Sequence, residues 1–184
     1  MIYIFVGPSC SGKTSIGKDL NLETGIPELI SHTTRPKRKG EVEGIHYYYV
    51  SKEEFDQIDK VEYTEYAGNE YCISRKELED KLNKNGDVFT IMDMNGVKQM
   101  KENLSDKKIK VLYFDVPKHQ LMFRLIKRDG FIKGIKRMWH AIKNDEFQNK
   151  EYADYVIRNE NGYYKAALES VRLLMALREA SVNL

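Results

Sequence analysis

The chain has 184 residues, 41% of them hydrophobic and 32% charged, with a formal net charge of +2. That length suits one domain with a substantial core, and the near-balanced charge does not fit a strongly basic nucleic-acid binder. No apolar run is long enough to span a bilayer, and the N-terminal one is too short for a signal peptide. Cys10 and Cys72 have no metal-ligand spacing, so a reduced, cytoplasmic protein is expected.

In chain order, Ile2 to Val6 reads as a buried strand. The stretch Gly7-Pro8-Ser9-Cys10-Ser11-Gly12-Lys13-Thr14 follows it, and Ser15 to Leu22 suits a helix. Gly25 and Pro27 mark a break before a short strand, Glu28 to Ser31. Pro36 and Gly40 exclude a helix from the polar, basic segment Ser31 to Glu41. Ile45 to Val50 suits a strand, and Ser51 with Glu54 opens a helix through a capping box. Val61 to Tyr66 and Glu70 to Ile73 read as a hairpin turned at Gly68-Asn69. Ser74 with Glu77 repeats the capping pattern, and Asn85-Gly86 ends the helix it starts.

The apolar strand Asp87 to Met92 delivers Asp93 at its end, and a helix is predicted from about Asn95 to Asn103. Lys110 to Val116 is another buried strand, followed by a helix from Leu121 to Arg128. Asp129-Gly130 and Gly134 are expected to interrupt it, with helix resuming near Ile135. Tyr155 to Ile157 is a last short strand. A long helix after Gly162 groups Ala166, Leu168, Val171, Leu174, Met175 and Leu177 on one face. Strands and helices alternate at both ends around a strand-rich insertion. This predicts an α/β doubly wound parallel-sheet core with a small β-rich lobe.

Gly7 to Thr14 has the spacing G-x-x-x-x-G-K-[ST] between a strand and a helix, the context that makes it a phosphate loop. Its glycines let backbone N–H groups turn toward a phosphate, and the following helix adds free N–H groups and the positive end of its dipole. Lys13 supplies a charge for the β- and γ-phosphates, and Thr14 offers a hydroxyl to Mg2+. Gly7, Ser9, Cys10, Ser11, Gly12, Lys13, Thr14 and Ser15 are therefore candidate ATP-binding residues. Further on, Arg35, Arg38 and Tyr47 can hold a phosphate monoester through two guanidinium forks and a phenol. Taken alone, that segment reads equally as a solvated basic loop.

The middle of the chain resembles the guanylate-kinase family. The resemblance is carried by Ser31-His32-Thr33-Thr34-Arg35, Gly40-Glu41-Val42-Glu43-Gly44, Tyr47, Gly68-Asn69-Glu70-Tyr71 and Met92-Asp93-Met94-Asn95-Gly96-Val97, in order after the phosphate loop. It runs on to Tyr155-Val156-Ile157 and Asn159, nearly the whole chain. It implies a P-loop kinase that moves the γ-phosphate of ATP, with Mg2+, to GMP or dGMP, as a monomer or homodimer with no nucleic-acid or membrane partner. It implies a single domain with a core (1–31, 75–123 and 138–184), a GMP-binding lobe (32–74) and a short helical lid (124–137). By the same resemblance Ser31, Arg35, Arg38, Tyr47, Glu62, Tyr71 and Asp93 match GMP-binding positions, with Glu62 and Asp93 receiving the guanine N1–H and amino group. Arg124, Arg128 and Arg137 match arginines that clamp the transferred phosphates, and with Lys13 they are the candidate catalytic set. Asn159 matches a position near the adenine.

The chain also departs from the family pattern. Cys72 and Ile73 stand where a glycine and a hydroxyl residue are usual, so one hydroxyl toward guanine is missing. Ile91 replaces an acidic residue, and Arg158 an apolar one. The lid segment, Asp129-Gly130-Phe131-Ile132-Lys133-Gly134, is short and lacks the family's acidic and threonine positions. A different phosphorylated acceptor, or a non-catalytic interaction module of the same fold, are the alternatives at this point.

Overall fold

The computed structural model describes residues 1–66 and 68–182, with side chains described as far as residue 177. The elements in order are β1 (Ile2–Val6), α1 (Lys13–Thr24), β2 (His32–Thr33), β3 (Tyr48–Tyr49), α2 (Lys52–Asp56), β4 (Lys60–Tyr66), β5 (Asn69–Ser74), α3 (Arg75–Asn85) and β6 (Val88–Ile91). They continue with α4 (Met94–Asn103), β7 (Ile109–Asp115), α5 (Lys118–Asp129), α6 (Phe131–Lys143), a 3-10 turn (Asn149–Tyr152), β8 (Tyr155–Arg158) and α7 (Tyr164–Val182). One sheet has the strand order β6-β1-β7-β8, and the other β3-β2-β5-β4. The chain divides into two compact units, Met1–Ile4 with Ile26–Ile109, and Phe5–Gly25 with Lys110–Leu184.

In the first unit β4 and β5 form the predicted antiparallel hairpin, with Glu62 opposite Ile73 and Thr64 opposite Tyr71. β2 pairs antiparallel with β5 and parallel with β3. Two predicted strands shrink. Glu28 to Ser31 is reduced to one parallel bridge from Glu28 to Phe89. Ile45 to Val50 keeps only Tyr48–Tyr49, because Gly44 (φ 70) turns the chain just before it. The Ser51 capping box forms in full, its side chain accepting from the Glu54 N–H while Glu54 accepts from the Ser51 N–H. The second box forms by half. Ser74 accepts from the Glu77 N–H, but the Glu77 carboxylate accepts from the Ile30 N–H (2.8 Å) and the Tyr48 hydroxyl (3.2 Å) and pairs with Lys81. Glu77 is buried, so those partners outweigh the reciprocal cap.

In the second unit α1 begins at Lys13 and ends at Gly25, whose φ of 74° is the left-handed conformation that closes a helix. β7 and β8 pair in parallel, Phe114 opposite Ile157. On α7, Ala167, Leu168, Val171 and Met175 are buried, whereas Leu177 is exposed. α5 and α6 pack together, and Val116, Leu121, Leu125 and Met138 form the core between them. The expected break at Gly134 does not occur, since α6 runs through it from Phe131. Gly134 is there for contact: a Cβ would lie 2.9 Å from the Ile126 nitrogen and 3.0 Å from its Cα. The other side of α6 exposes Phe131, Ile132, Ile135, Trp139 and Ile142.

Gly134→Ala tests that close approach. Helix propensity alone would favour alanine by about 1 kcal/mol. The backbone collision outweighs it, and a net loss of about 1–2 kcal/mol is expected in urea unfolding. A gain in stability would show that α5 and α6 have room to move apart.

Candidate functional site

The second unit carries the phosphate loop. Its path needs left-handed backbone at three places, Gly7 (φ 143), Cys10 (φ 67) and Gly12 (φ 98). Cys10 is one of two non-glycine residues with positive φ among the described residues, a local strain of the kind that gathers at functional loops. Gly12 is also required by its neighbour. The buried Asn159 donates from Nδ2 to the Ser11 carbonyl at 2.8 Å, and a Cβ on Gly12 would collide with that same nitrogen. Gly12 is the N-cap of α1 and brings no capping side chain, so the first-turn N–H groups face whatever lies before the helix.

Lys13 folds back over the loop. Its ammonium donates to the carbonyls of Gly7 (2.5 Å) and Pro8 (3.0 Å) and to the Ser11 hydroxyl (3.3 Å). Burial pushes its pKa down to about 8, against an opposing pull from Glu146. A cleft of about 720 Å3 opens beside it, lined among others by Ser9, Thr14, Ser15, Arg124, Arg128 and Asn159. Thr14 is exposed in the first turn of α1. The described residues hold no cluster of three His, Cys, Asp or Glu that suits a metal ion. A hydroxyl beside a triphosphate cradle fits Mg2+ arriving with its nucleotide, as this ion commonly binds.

All three predicted lid arginines reach this loop. Arg124 donates to the carbonyls of Asn159 (2.8 Å) and Cys10 (3.4 Å) and to Asn161 Oδ1 (3.0 Å). Arg137 donates to Ser9 Oγ at 3.1 Å, with Arg128 at 3.5 Å from the same atom. Both also grip Asp129, Arg128 at 2.8 Å and Arg137 at 3.0 Å. The Arg128 hydrogen bond holds the Asp129 carboxyl below its ordinary value. Asp129 was not foreseen as part of the site. The signal was in the sequence, as an acid lying next to one candidate arginine and eight positions before another.

The first unit carries a second pair of cavities that share Tyr47, Thr64 and Tyr71 in their walls. The larger, about 380 Å3, is also lined by Arg35, Arg38, Glu41, Tyr66 and Asn69. Arg35 is buried, lies 5.4 Å from the Tyr47 ring centroid, and donates to Glu41 at 2.8 Å. Glu41 also accepts from the Arg38 N–H and the Tyr49 hydroxyl, each at 2.8 Å. The Arg35 bond, with these others, holds the Glu41 carboxyl down to about 2. Glu41 therefore fixes the backbone turn and the guanidinium together, a role that its place in the quoted motif left open. Arg38 extends an exposed side chain at the cavity rim.

The smaller cavity, about 180 Å3, is lined by Ser31, Glu62 and Asp93 with Ile73, Ile91 and Met92. Glu62 does not face solvent, being only 6% exposed. Burial, reinforced by the Asp93 charge, pushes its carboxyl up to about 7, although the Ile73 N–H bond opposes this. Asp93 is the N-cap of α4 and accepts from the Gly96 N–H at 2.9 Å. That bond leaves lone pairs on Asp93 for a ligand. Every residue expected on the acceptor side thus lines one of these two cavities, and Thr64 joins both without having been foreseen.

Comparison with known proteins points to one family. The guanylate kinase family model matches residues 1–175. The guanylate kinase of Haemophilus influenzae is 39% identical over 171 residues, covering 87% of this chain and 80% of that protein. That of Vibrio parahaemolyticus is 35% identical over 187 residues, covering 94% and 88%. The crystal structure of guanylate kinase from Anaplasma phagocytophilum superposes with a TM-score of 0.67 at 27% identity, over 96% of this chain and 84% of that one. On the match of sequence and structure together, the chain belongs to the guanylate kinase family.

Proposed function

We propose that the protein transfers the γ-phosphate of ATP to GMP, and to dGMP, by direct in-line displacement. The observation that carries this reading is the make-up of the acceptor cavities. A buried arginine with two tyrosines suits a monophosphate, and two carboxylates suit a base edge that offers only donors to them. Guanine presents N1–H and a 2-amino group there, whereas adenine presents a bare N1 lone pair, which the carboxylates repel. The phosphate loop, with Asn159 holding Ser11, is the donor half.

The acceptor phosphate is itself the nucleophile, so no covalent intermediate and no strong base are needed. Lys13 turns from the loop carbonyls to the β- and γ-phosphates, and Arg124, Arg128 and Arg137 neutralise charge on the transferred group. Thr14 would help to hold Mg2+, which supplies further neutralisation when bound with the nucleotide. Residues 32–74 act as the GMP-binding lobe and 124–137 as the lid, which must exclude water to prevent hydrolysis of ATP. The reaction calls for small-molecule nucleotides alone, and a cytoplasmic setting suits it.

A panel of GMP, dGMP, AMP, UMP and CMP tests the assignment. Turnover should be confined to the guanine nucleotides, and equal rates across the panel would refute it. Lys13→Ala should lower kcat by about a hundredfold to a thousandfold with an unchanged circular-dichroism spectrum. Asp129→Asn should lower kcat about tenfold while the KM for GMP stays put, because it loosens two arginines on the donor side. Equal losses in both parameters would point to general destabilisation.

Glu62 predicts a pH dependence. In the folded protein it keeps its proton up to about pH 7, from an ordinary value of 4.5. The folded state therefore binds more protons than the unfolded state between those limits, and stability falls across that window as pH rises, by up to about 3 kcal/mol. Guanine needs the ionised form, so the KM for GMP should rise below about pH 7, by up to about tenfold per unit. In Glu62→Gln the Glu62 share of both slopes should be lost, stability at pH 8 should rise, and the KM for GMP should increase. A KM slope that persists in this variant would belong to the GMP phosphate instead.

A further inference from the structure

The acceptor cavity lacks the usual hydroxyl on β5, where Ile73 stands, yet guanine carries a third hydrogen-bonding group, the 6-carbonyl oxygen. That oxygen only accepts. Glu62 and Asp93 cannot serve it, since ionised carboxylates donate nothing. Left unpaired in a site that excludes water, it would weaken binding. The donor must come from another residue of the wall.

Four hydroxyl residues line the smaller cavity, Ser31, Tyr47, Thr64 and Tyr71. Tyr47 and Tyr71 pack against each other at 5.7 Å and stand beside the Arg35 guanidinium, at the phosphate end. Of the two short hydroxyls, Thr64 shares a strand with Glu62. Residues two apart on a strand face the same side, about 6.8 Å apart. Accordingly Glu62 and Thr64 line the smaller cavity, Thr64 and Tyr66 the larger, and Tyr63 and Glu65 neither. The register sets Glu62 against Ile73 and Thr64 against Tyr71, so Thr64 lies two pairs along the hairpin from the missing hydroxyl, on the neighbouring strand and the same face.

We infer that Thr64 is the hydroxyl donor to the 6-carbonyl oxygen of the guanine, taking on from β4 the part that Ile73 cannot play from β5. This rests on GMP being the acceptor. It makes the base contact a set of three, Glu62 and Asp93 receiving protons and Thr64 giving one. A hydroxyl both donates and accepts, so Thr64 tightens and orients the base, while the carboxylates reject adenine.

The test is a cycle of two changes, one on each side of the contact. Thr64→Val removes the hydroxyl at nearly constant volume, and 6-thioguanosine monophosphate weakens the acceptor while keeping N1–H and the amino group. With GMP, Thr64→Val should raise KM about fivefold to tenfold and leave kcat within about twofold. The thio substitution should raise KM for the parent protein and add little in Thr64→Val, because the contact is already lost. Thr64→Ser should behave as the parent, and Thr64→Val with Ile73→Thr should recover GMP binding. Unchanged KM in Thr64→Val, or two effects that multiply, would overturn the assignment. The same non-additivity in Ser31→Ala but not in Thr64→Val would move it to Ser31. Failure of the wider reading looks different, because the parent protein would then not turn over GMP at all.

Discussion

The bond from Asn159 to the Ser11 carbonyl ties the phosphate loop to the residue just past β8, and much of the donor cleft follows from it. Asn159 can reach Ser11 only because residue 12 has no Cβ. The same absence of Cβ admits the left-handed turn that starts α1 with its N–H groups open. Arg124 completes the link, bonding the Asn159 and Cys10 carbonyls. A loop that must present a strained backbone is held by groups on two other elements, which is what keeps such strain in place.

Both units hold charged or titratable groups whose partners within the protein satisfy them only in part. Lys13 satisfies its ammonium on loop carbonyls, which are weaker partners than phosphate oxygens. Arg128 and Arg137 share one carboxylate. Glu62, pushed up by burial and then by the Asp93 charge, holds its proton more readily than an ordinary carboxyl. Such partial satisfaction is common at sites that trade stability for function.

Local chemistry made much of this visible in advance. The loop spacing, the Ser51 cap and the β4–β5 hairpin are set by neighbours in sequence, and they appear as read. What escaped depends on contacts between distant segments. Gly134 reads as a helix breaker, and only the nearness of Ile126 turns it into a packing residue. Glu77 reads as half of a cap, and its burial beside Ile30 and Tyr48 assigns it elsewhere. Glu62 was named through the family resemblance, whereas its place on an alternating strand gives no sign of its burial. Asp129, Glu41 and Thr64 are ordinary polar residues in the sequence, and they gain meaning only from the groups that folding places around them.

The exposed side of α6 has a practical consequence. Trp139 is the chain's one tryptophan, and it lies there at 62% exposure, with the Lys143 ammonium 5.2 Å from its ring centroid. The helix that bears it also bears Arg137, whose guanidinium meets Ser9. The indole is thus a native optical label on the same helix as an arginine that touches the phosphate loop. Its emission colour responds to whatever surrounds that helix, so α6 can be followed in the unmodified protein by rapid mixing, without a dye.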